Sequence, residues 1–375
     1  MLLLALCLLF APHAEGSEPG IVALRGSVRI QGLDAPVYDK NGDVRHAPAS
    51  LTKVMTVLLA VESGRLDEPV TISQRATAAG GASIYLRPES KWTLRDLVYA
   101  AQLVSANDAA AAIAEHLGGS IEGFVAVMNA RAAALGMHNT NFVNPHGMPH
   151  ASQYSTAHDL TLLALTAAAN PQFVEVAVTR RHVTASGTAL VNQNRLLDEY
   201  SGLIMGKTGY TDAAGQCFVV VAERGGLRVA SAILGSQGQA IWSDSAALLN
   251  YGFANYRNNV LFRPRQTLGL QDVALSGKVI VVSTEGYEFV TARGESPATR
   301  IEIHPYRPLW PPLRPGDIVG EVVVQVESQR TVVPLTVAYH VPLFTPERLK
   351  VAGVAGGLLL LYLAGSAIVT RRRRS

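Results

Sequence analysis

Three short motifs occur once each and in a fixed order along the chain: Ser50-Leu51-Thr52-Lys53, Ser105-Ala106-Asn107 and Lys207-Thr208-Gly209. Their residue types suit nucleophilic attack by serine. A serine hydroxyl at neutral pH is a poor nucleophile and needs a nearby base. An unprotonated lysine can serve where burial and neighbouring positive charge lower its pKa. Residues three apart share a helix face, so Ser50 and Lys53 are expected within reach of each other. The chain carries 26 arginines and six lysines, and two of those six fall in the motifs. Arginine does not deprotonate and cannot be a base, which makes the choice of lysine at position 53 informative.

The elements around the motifs fit this chemistry. Pro48-Ala49-Ser50 ends an irregular stretch, and Val54, Val57, Leu58 and Val61 then recur at helical spacing until Ser63-Gly64. Ser50 is therefore expected to open a buried helix, where free N–H groups and the helix dipole favour negative charge on its oxygen. Thr93-Leu94-Arg95-Asp96 reads as a capping box ahead of a helix, and a second helix is predicted from Asp108 towards Gly118-Gly119. Ser105-Ala106-Asn107 lies between the two, where a hydroxyl and a carboxamide could pass a proton and hold a peptide. Lys207-Thr208-Gly209 leads towards a predicted strand over residues 217–222, which a turn at residues 223–226 folds back into a strand over residues 227–234. An extended peptide can pair along such a strand, with Gly209 allowing close approach. Singly, the motifs read as a capping serine with a surface lysine, a helix junction and a solvated turn. Jointly they point to one site.

With those residues in place, the chain resembles the low-molecular-mass penicillin-binding proteins, the serine-type D-Ala-D-Ala carboxypeptidase family (S11-like). The resemblance spans about residues 20–340. It includes Asn141-Phe142-Val143-Asn144-Pro145-His146-Gly147 and Tyr154-Ser155-Thr156-Ala157. It implies Ser50 as acyl-ester nucleophile, Lys53 as base, Ser105 and Asn107 as second-motif partners, and Lys207, Thr208 and Gly209 as substrate-binding residues. It implies an oxyanion hole from the Ser50 N–H and one beyond the third motif. It also implies peptidoglycan stem peptides as substrate and β-lactams as inhibitors, with no cofactor. One departure stands out: many relatives carry a carboxylate-binding arginine after the strand that follows the third motif. Here Ser236-Gln237-Gly238-Gln239-Ala240-Ile241-Trp242 has none. Arg228 and Thr211 are the substitutes the sequence offers.

The resemblance and the pattern together imply an α+β architecture: a DD-peptidase/β-lactamase-like catalytic domain with an antiparallel sheet flanked by helices and a helical subdomain. A small all-β domain and a transmembrane helix follow. Helices are predicted at residues 120–135, 155–169 and 241–256, the second closed before Pro171. From about residue 260 alternation takes over, notably at residues 320–326 and 331–339, with a proline-rich loop at residues 305–315. The expected boundaries are a signal peptide at 1–16, the catalytic domain at 17–257, the β domain at 258–340, a linker at 341–350, a span at 351–370 and a tail at 371–375.

Both ends point to a membrane. Residues 2–10 form an uncharged apolar run before Ala11-Pro12-His13-Ala14, like a signal core and cleavage zone without a basic n-region. A lipoprotein signal at Cys7 is disfavoured by Leu6. Residues 351–370 carry no charge and would measure about 30 Å as a helix, enough to cross a bilayer. Arg371 to Arg374 would hold the tail on the cytoplasmic side of a bacterial membrane, leaving the catalytic domain outside. These four arginines account for the net charge of +3, so no basic nucleic-acid face is indicated. Two cysteines, Cys7 and Cys217, are too few for a disulfide framework, and Cys217 sits in a strand pattern as a core residue.

Two other readings stay open on the sequence. His146 and His150 have the separation of a helical metal pair, but Gly147 and Pro149 break any helix and no glutamate follows His146, so no metal is expected. A β-lactamase of the class that uses a glutamate for deacylation would need a Glu-x-x-Leu-Asn stretch, which is missing. A non-catalytic penicillin-binding sensor or scaffold would acylate without turnover. The sequence does not separate carboxypeptidase from endopeptidase action.

Overall fold

The computed structural model describes residues 17–342 apart from 275, 276 and 307. The expected signal peptide and the expected membrane span both lie outside the described residues. Among the described residues, no single helix is long and apolar enough to cross a membrane. The described residues form two compact units, one reaching Asn258 and taking in Ala292–Gly294, the other Asn259–Thr291 with residues 295–342.

The first unit is built on a five-stranded antiparallel sheet in the order Tyr38–Lys40, Arg25–Ile30, Leu227–Ser236, Gly215–Arg224, Leu203–Thr211. Its central strands are apolar without alternation because both faces are covered. Cys217, Phe218, Val219, Val220, Val221 and Ala222 are all buried. Ala230, Ala232 and Leu234 face the helical core together with Leu160, Leu163 and Ala164 of the helix Ala157–Ala168. On the opposite face Val229 lies against Gly252 of the helix Ala240–Asn255, so closely that a Cβ there would clash. Cys217 is a core side chain, as its strand position predicts, and burial pushes its thiol up to about 12.

Helix starts follow local chemistry. Thr93, Ser120 and Thr156 each accept a backbone N–H three residues on, opening the helices Leu94–Leu103, Ile121–Ala134 and Ala157–Ala168. The expected stop before Pro171 is followed directly by another helix, Pro171–Val178. Asn170 caps it, and Pro171 occupies its first turn, where the missing N–H costs nothing.

The second unit has a five-stranded antiparallel sheet, ordered Thr267–Val273, Gly277–Ser283, Gln329–Val337, Ile318–Val326, Thr299–Pro305. Val279, Val281, Val322, Val324, Val333 and Leu335 fill its core from alternate positions. It contains none of the three motifs.

Candidate active site

The backbone brings Ser50 to the site under strain. Ser50 belongs to a 3-10 turn, Ala49–Thr52, and the α-helix Lys53–Glu62 starts only at the lysine. The expected helix start at Ser50 is therefore shifted by this tighter turn. No side chain caps either segment, so the Ser50 hydroxyl is not spent on the helix. Ala49 sits in the left-handed region at φ 48°, which costs on the order of 1–2 kcal/mol for a residue with a Cβ. Gly147 packs so tightly on the Ala49 carbonyl that a side chain at 147 would overlap it. The loop at residues 144–148 thereby helps to hold the turn before the serine.

Lys53 is fully buried, and its Nζ meets three oxygens: Ser50 Oγ at 2.9 Å, Asn107 Oδ1 at 2.6 Å and the His146 carbonyl at 2.8 Å. A neutral lysine has two N–H bonds and one lone pair. The nitrogen lies in donating position to all three oxygens; once unprotonated it keeps two N–H bonds for the carbonyl-type acceptors, and its lone pair can take the Ser50 proton. Burial holds Lys53 well below its usual value of 10.5, the nearby charge of Lys207 adds to the effect, and Asp108 opposes it. His146 is lowered to about 4 by burial and then by Lys53, and its Nδ1 accepts the Met148 N–H at 3.2 Å. The imidazole is neutral at physiological pH and supplies its main-chain oxygen, not a ring nitrogen, to the lysine.

The second motif enters through another strained residue, Ser105 at φ 62°, between the helices Leu94–Leu103 and Asn107–Gly118. Ser105 Oγ is buried and has no hydrogen-bond partner among the described residues, while the residue lines the cleft beside Ser50. Asn107 is oriented at both ends: Oδ1 accepts from Lys53, and Nδ2 donates to the Gly80 carbonyl at 2.7 Å. Asp108, buried, accepts from Ser83 Oγ at 2.6 Å and from the Leu86 N–H at 3.0 Å, which ties down the wall that carries Gly80 and Ala82. Gly80 and Gly81 are absent from the sequence motifs, and Asp108 enters there only as a helix start. The Gly80-Gly81 pair was a usable signal, since both adopt positive φ and a Cβ at Gly81 would press on Asn107 Nδ2.

The third motif lies on Leu203–Thr211, the edge strand of the sheet. Gly209 passes so near the serine turn that a Cβ there would sit 3.0 Å from the Ser50 nitrogen. Lys207 is buried beneath the cleft, its Nζ donating to the Thr208 carbonyl at 3.0 Å, and burial lowers it to about 7. Thr208, Gly209 and Tyr210 line the cleft together with Ser50, Ser105 and Ala82. All seven residues singled out in the sequence thus lie in or directly beneath one cleft of the first unit.

The two expected substitutes for the missing arginine lie elsewhere. Arg228 pairs with Glu223 across the hairpin turn, and Thr211 Oγ1 accepts the Ala214 N–H at 3.1 Å in the next turn. Neither lines the cleft, whereas Arg195, Gln193, Gln216 and Trp242 do.

Residues 35–238 match the family described as peptidase S11, D-alanyl-D-alanine carboxypeptidase. The chain belongs to this family. Its activity is that of a serine-type D-alanyl-D-alanine carboxypeptidase. The S11 chain is 30% identical to the D-alanyl-D-alanine carboxypeptidase DacF of Bacillus subtilis over 94% of each chain. It is 38% identical to DacB2 of Mycobacterium tuberculosis over 57% of this chain and 77% of that protein. Among solved structures, it superposes on the carboxypeptidase DacD from Francisella tularensis with a TM-score of 0.63 at 28% identity, covering 87% of this chain and 95% of the other. The sheet and helices described above are the DD-peptidase fold.

Proposed function

We propose that this S11 enzyme removes the terminal D-alanine of peptidoglycan stem peptides through an acyl-enzyme on Ser50. The observation that carries the assignment is the buried Lys53 amine 2.9 Å from Ser50 Oγ, with its pKa held down by burial. Ser50 Oγ attacks the carbonyl carbon of the penultimate D-alanine while Lys53 Nζ takes its proton. Ser105, whose hydroxyl has no partner among the described residues, relays that proton to the nitrogen of the departing D-alanine. Water then hydrolyses the ester. The N–H groups of Ser50 and Tyr210 face the developing oxyanion, which requires the close approach that Gly209 allows. The substrate backbone pairs along the edge strand Leu203–Thr211, and Thr208 with the Lys207 charge behind it attracts the carboxylate.

β-Lactams carry a strained amide and a carboxylate and acylate the same serine. Residues 1–16 direct export and residues 351–370 anchor the chain, leaving the first unit outside the membrane. The twenty uncharged residues followed by Arg371 to Arg374 support that anchor.

The test uses purified protein with a D-Ala-D-Ala peptide and a fluorescent penicillin, wild type beside Ser50→Ala. Catalytic D-alanine release and covalent labelling are expected from the wild type alone. Rapid penicillin turnover without D-alanine release would instead make it a β-lactamase, and stable labelling with neither would make it a sensor.

A further inference from the structure

Beyond the Lys207 charge behind Thr208, a substrate that ends in a carboxylate is held more firmly by a cation at the mouth of the cleft, and the described structure narrows the choice. Lys53 is bound to three oxygens beside the nucleophile. Lys207 is buried beneath the strand. Arg195 is the one arginine or lysine among the residues that line the cleft, where it shares the wall with Thr208, Tyr210 and Gln216.

Its position is fixed by the backbone on both sides. The Gln193 N–H donates to the Leu103 carbonyl at 3.1 Å, two residues before Ser105. Asn194 is buried, with its amide packed against Gly206, where a Cβ would overlap it. The same side chain accepts the Leu196 N–H at 3.1 Å, and Leu196 is itself buried. Arg195 therefore leaves a rigid stretch that is tied to the second motif on one side and to the third-motif strand on the other. Its Nε donates to Glu199, one helical turn on. Among the described residues, its two terminal nitrogens have no acceptor, so the planar fork is pre-set to receive a carboxylate.

We infer that Arg195, with Thr208, binds the C-terminal carboxylate of the substrate and so determines the preference for a free chain end. The assignment rests on the proposed acyl-enzyme at Ser50. Arg195 touches no reacting atom and acts on specificity alone. Glu199 sets the direction of the guanidinium and leaves its outer edge for the ligand. Arg228, held by Glu223 at the hairpin turn, takes no part.

The experiment compares an N-acylated L-lysyl-D-alanyl-D-alanine peptide with its C-terminal amide, using the full-length wild type, Arg195→Gln, Arg195→Lys and Arg228→Gln. For the acid, Arg195→Gln is expected to raise KM at least tenfold with kcat within about threefold of wild type. Arg195→Lys should recover part of the loss, because a point charge replaces the fork. The amide should be handled alike by wild type and Arg195→Gln, and Arg228→Gln should match wild type on both. An unchanged KM for the acid in Arg195→Gln overturns the inference, and so does an equal loss on acid and amide. D-Alanine release surviving in Ser50→Ala would instead overturn the acyl-enzyme assignment, whichever result Arg195 gives.

Discussion

Lys53 Nζ and Asn107 Oδ1 lie 2.6 Å apart although 54 positions separate them in the chain. The carboxamide turns its oxygen to the lysine because its nitrogen is held by the Gly80 carbonyl. A neutral acceptor at this point orients the amine without charging it. A carboxylate in the same place would stabilise the ammonium form and raise the lysine pKa. Asn107→Asp is therefore expected to slow acylation by penicillin about 100-fold or more at pH 7. Only the unprotonated amine accepts the Ser50 proton, so the lost rate should return as the pH rises. Pre-steady-state labelling across pH 6 to 10 reads this directly, and a loss independent of pH would point to disturbed geometry instead.

Ser105 Oγ is buried without a partner among the described residues. Removing it takes away no hydrogen bond from the folded protein, so Ser105→Ala should leave the melting temperature unchanged or slightly higher. If the hydroxyl relays a proton, the same variant should lose on the order of 10²–10⁴ in D-alanine release. Thermal unfolding and a turnover assay on one preparation separate the two effects. A large drop in stability would show the hydroxyl to be structural.

Gly209 faces the serine turn so closely that a Cβ there would lie 3.0 Å from the Ser50 nitrogen and 3.2 Å from the Ala49 Cβ, tighter than ordinary contact. Gly209→Ala should push the strand and the turn apart by a few tenths of an ångström. Oxyanion stabilisation depends on that spacing, and losing one such donor costs about 10²–10³ in rate. The expected signature is slow acylation with D-Ala-D-Ala peptide and penicillin alike, because both form a tetrahedral oxyanion.

Lys207 connects the site to stability. Its folded pKa of about 7 lies below the ordinary 10.5 because of burial. Between those values the unfolded chain binds more protons than the folded one, so this group makes stability rise with pH through that window. Below it, the full cost of burying the charge is present. Lys207→Met should thus raise the melting temperature by several degrees at pH 7 and by little near pH 10.5, while weakening substrate binding. Melts of the two proteins at both pH values check the sign.

Much of the fold was legible because its signals are local. Thr93 caps the helix that its capping box predicts, and Ser120 and Thr156 cap helices predicted to begin at residues 120 and 155, since a side-chain oxygen satisfies an N–H only three residues away. The hairpin at residues 223–226 was equally plain from its glycines. The helix Pro171–Val178 was missed because proline reads as a stop, although it is equally suited to a first helical turn. The 3-10 turn around Ser50 was missed too, because its conformation is imposed by Gly147 and Gly209, which approach from distant parts of the chain.

The residues themselves determined which chemistry was available: a serine with a lysine one turn away, a Ser-x-Asn junction, and a lysine-threonine-glycine strand. They also set the family that the chain belongs to and the twenty-residue apolar run near its end. Tertiary structure alone decided that Lys53 is fully buried and surrounded by three oxygens, that Asn107 presents its oxygen to that amine, and that Arg195 lines the cleft while Arg228 does not. The reason is that propensity and capping act over three or four residues. Desolvation and hydrogen bonding between residues 50 to 160 positions apart exist only once the sheet and helices have packed.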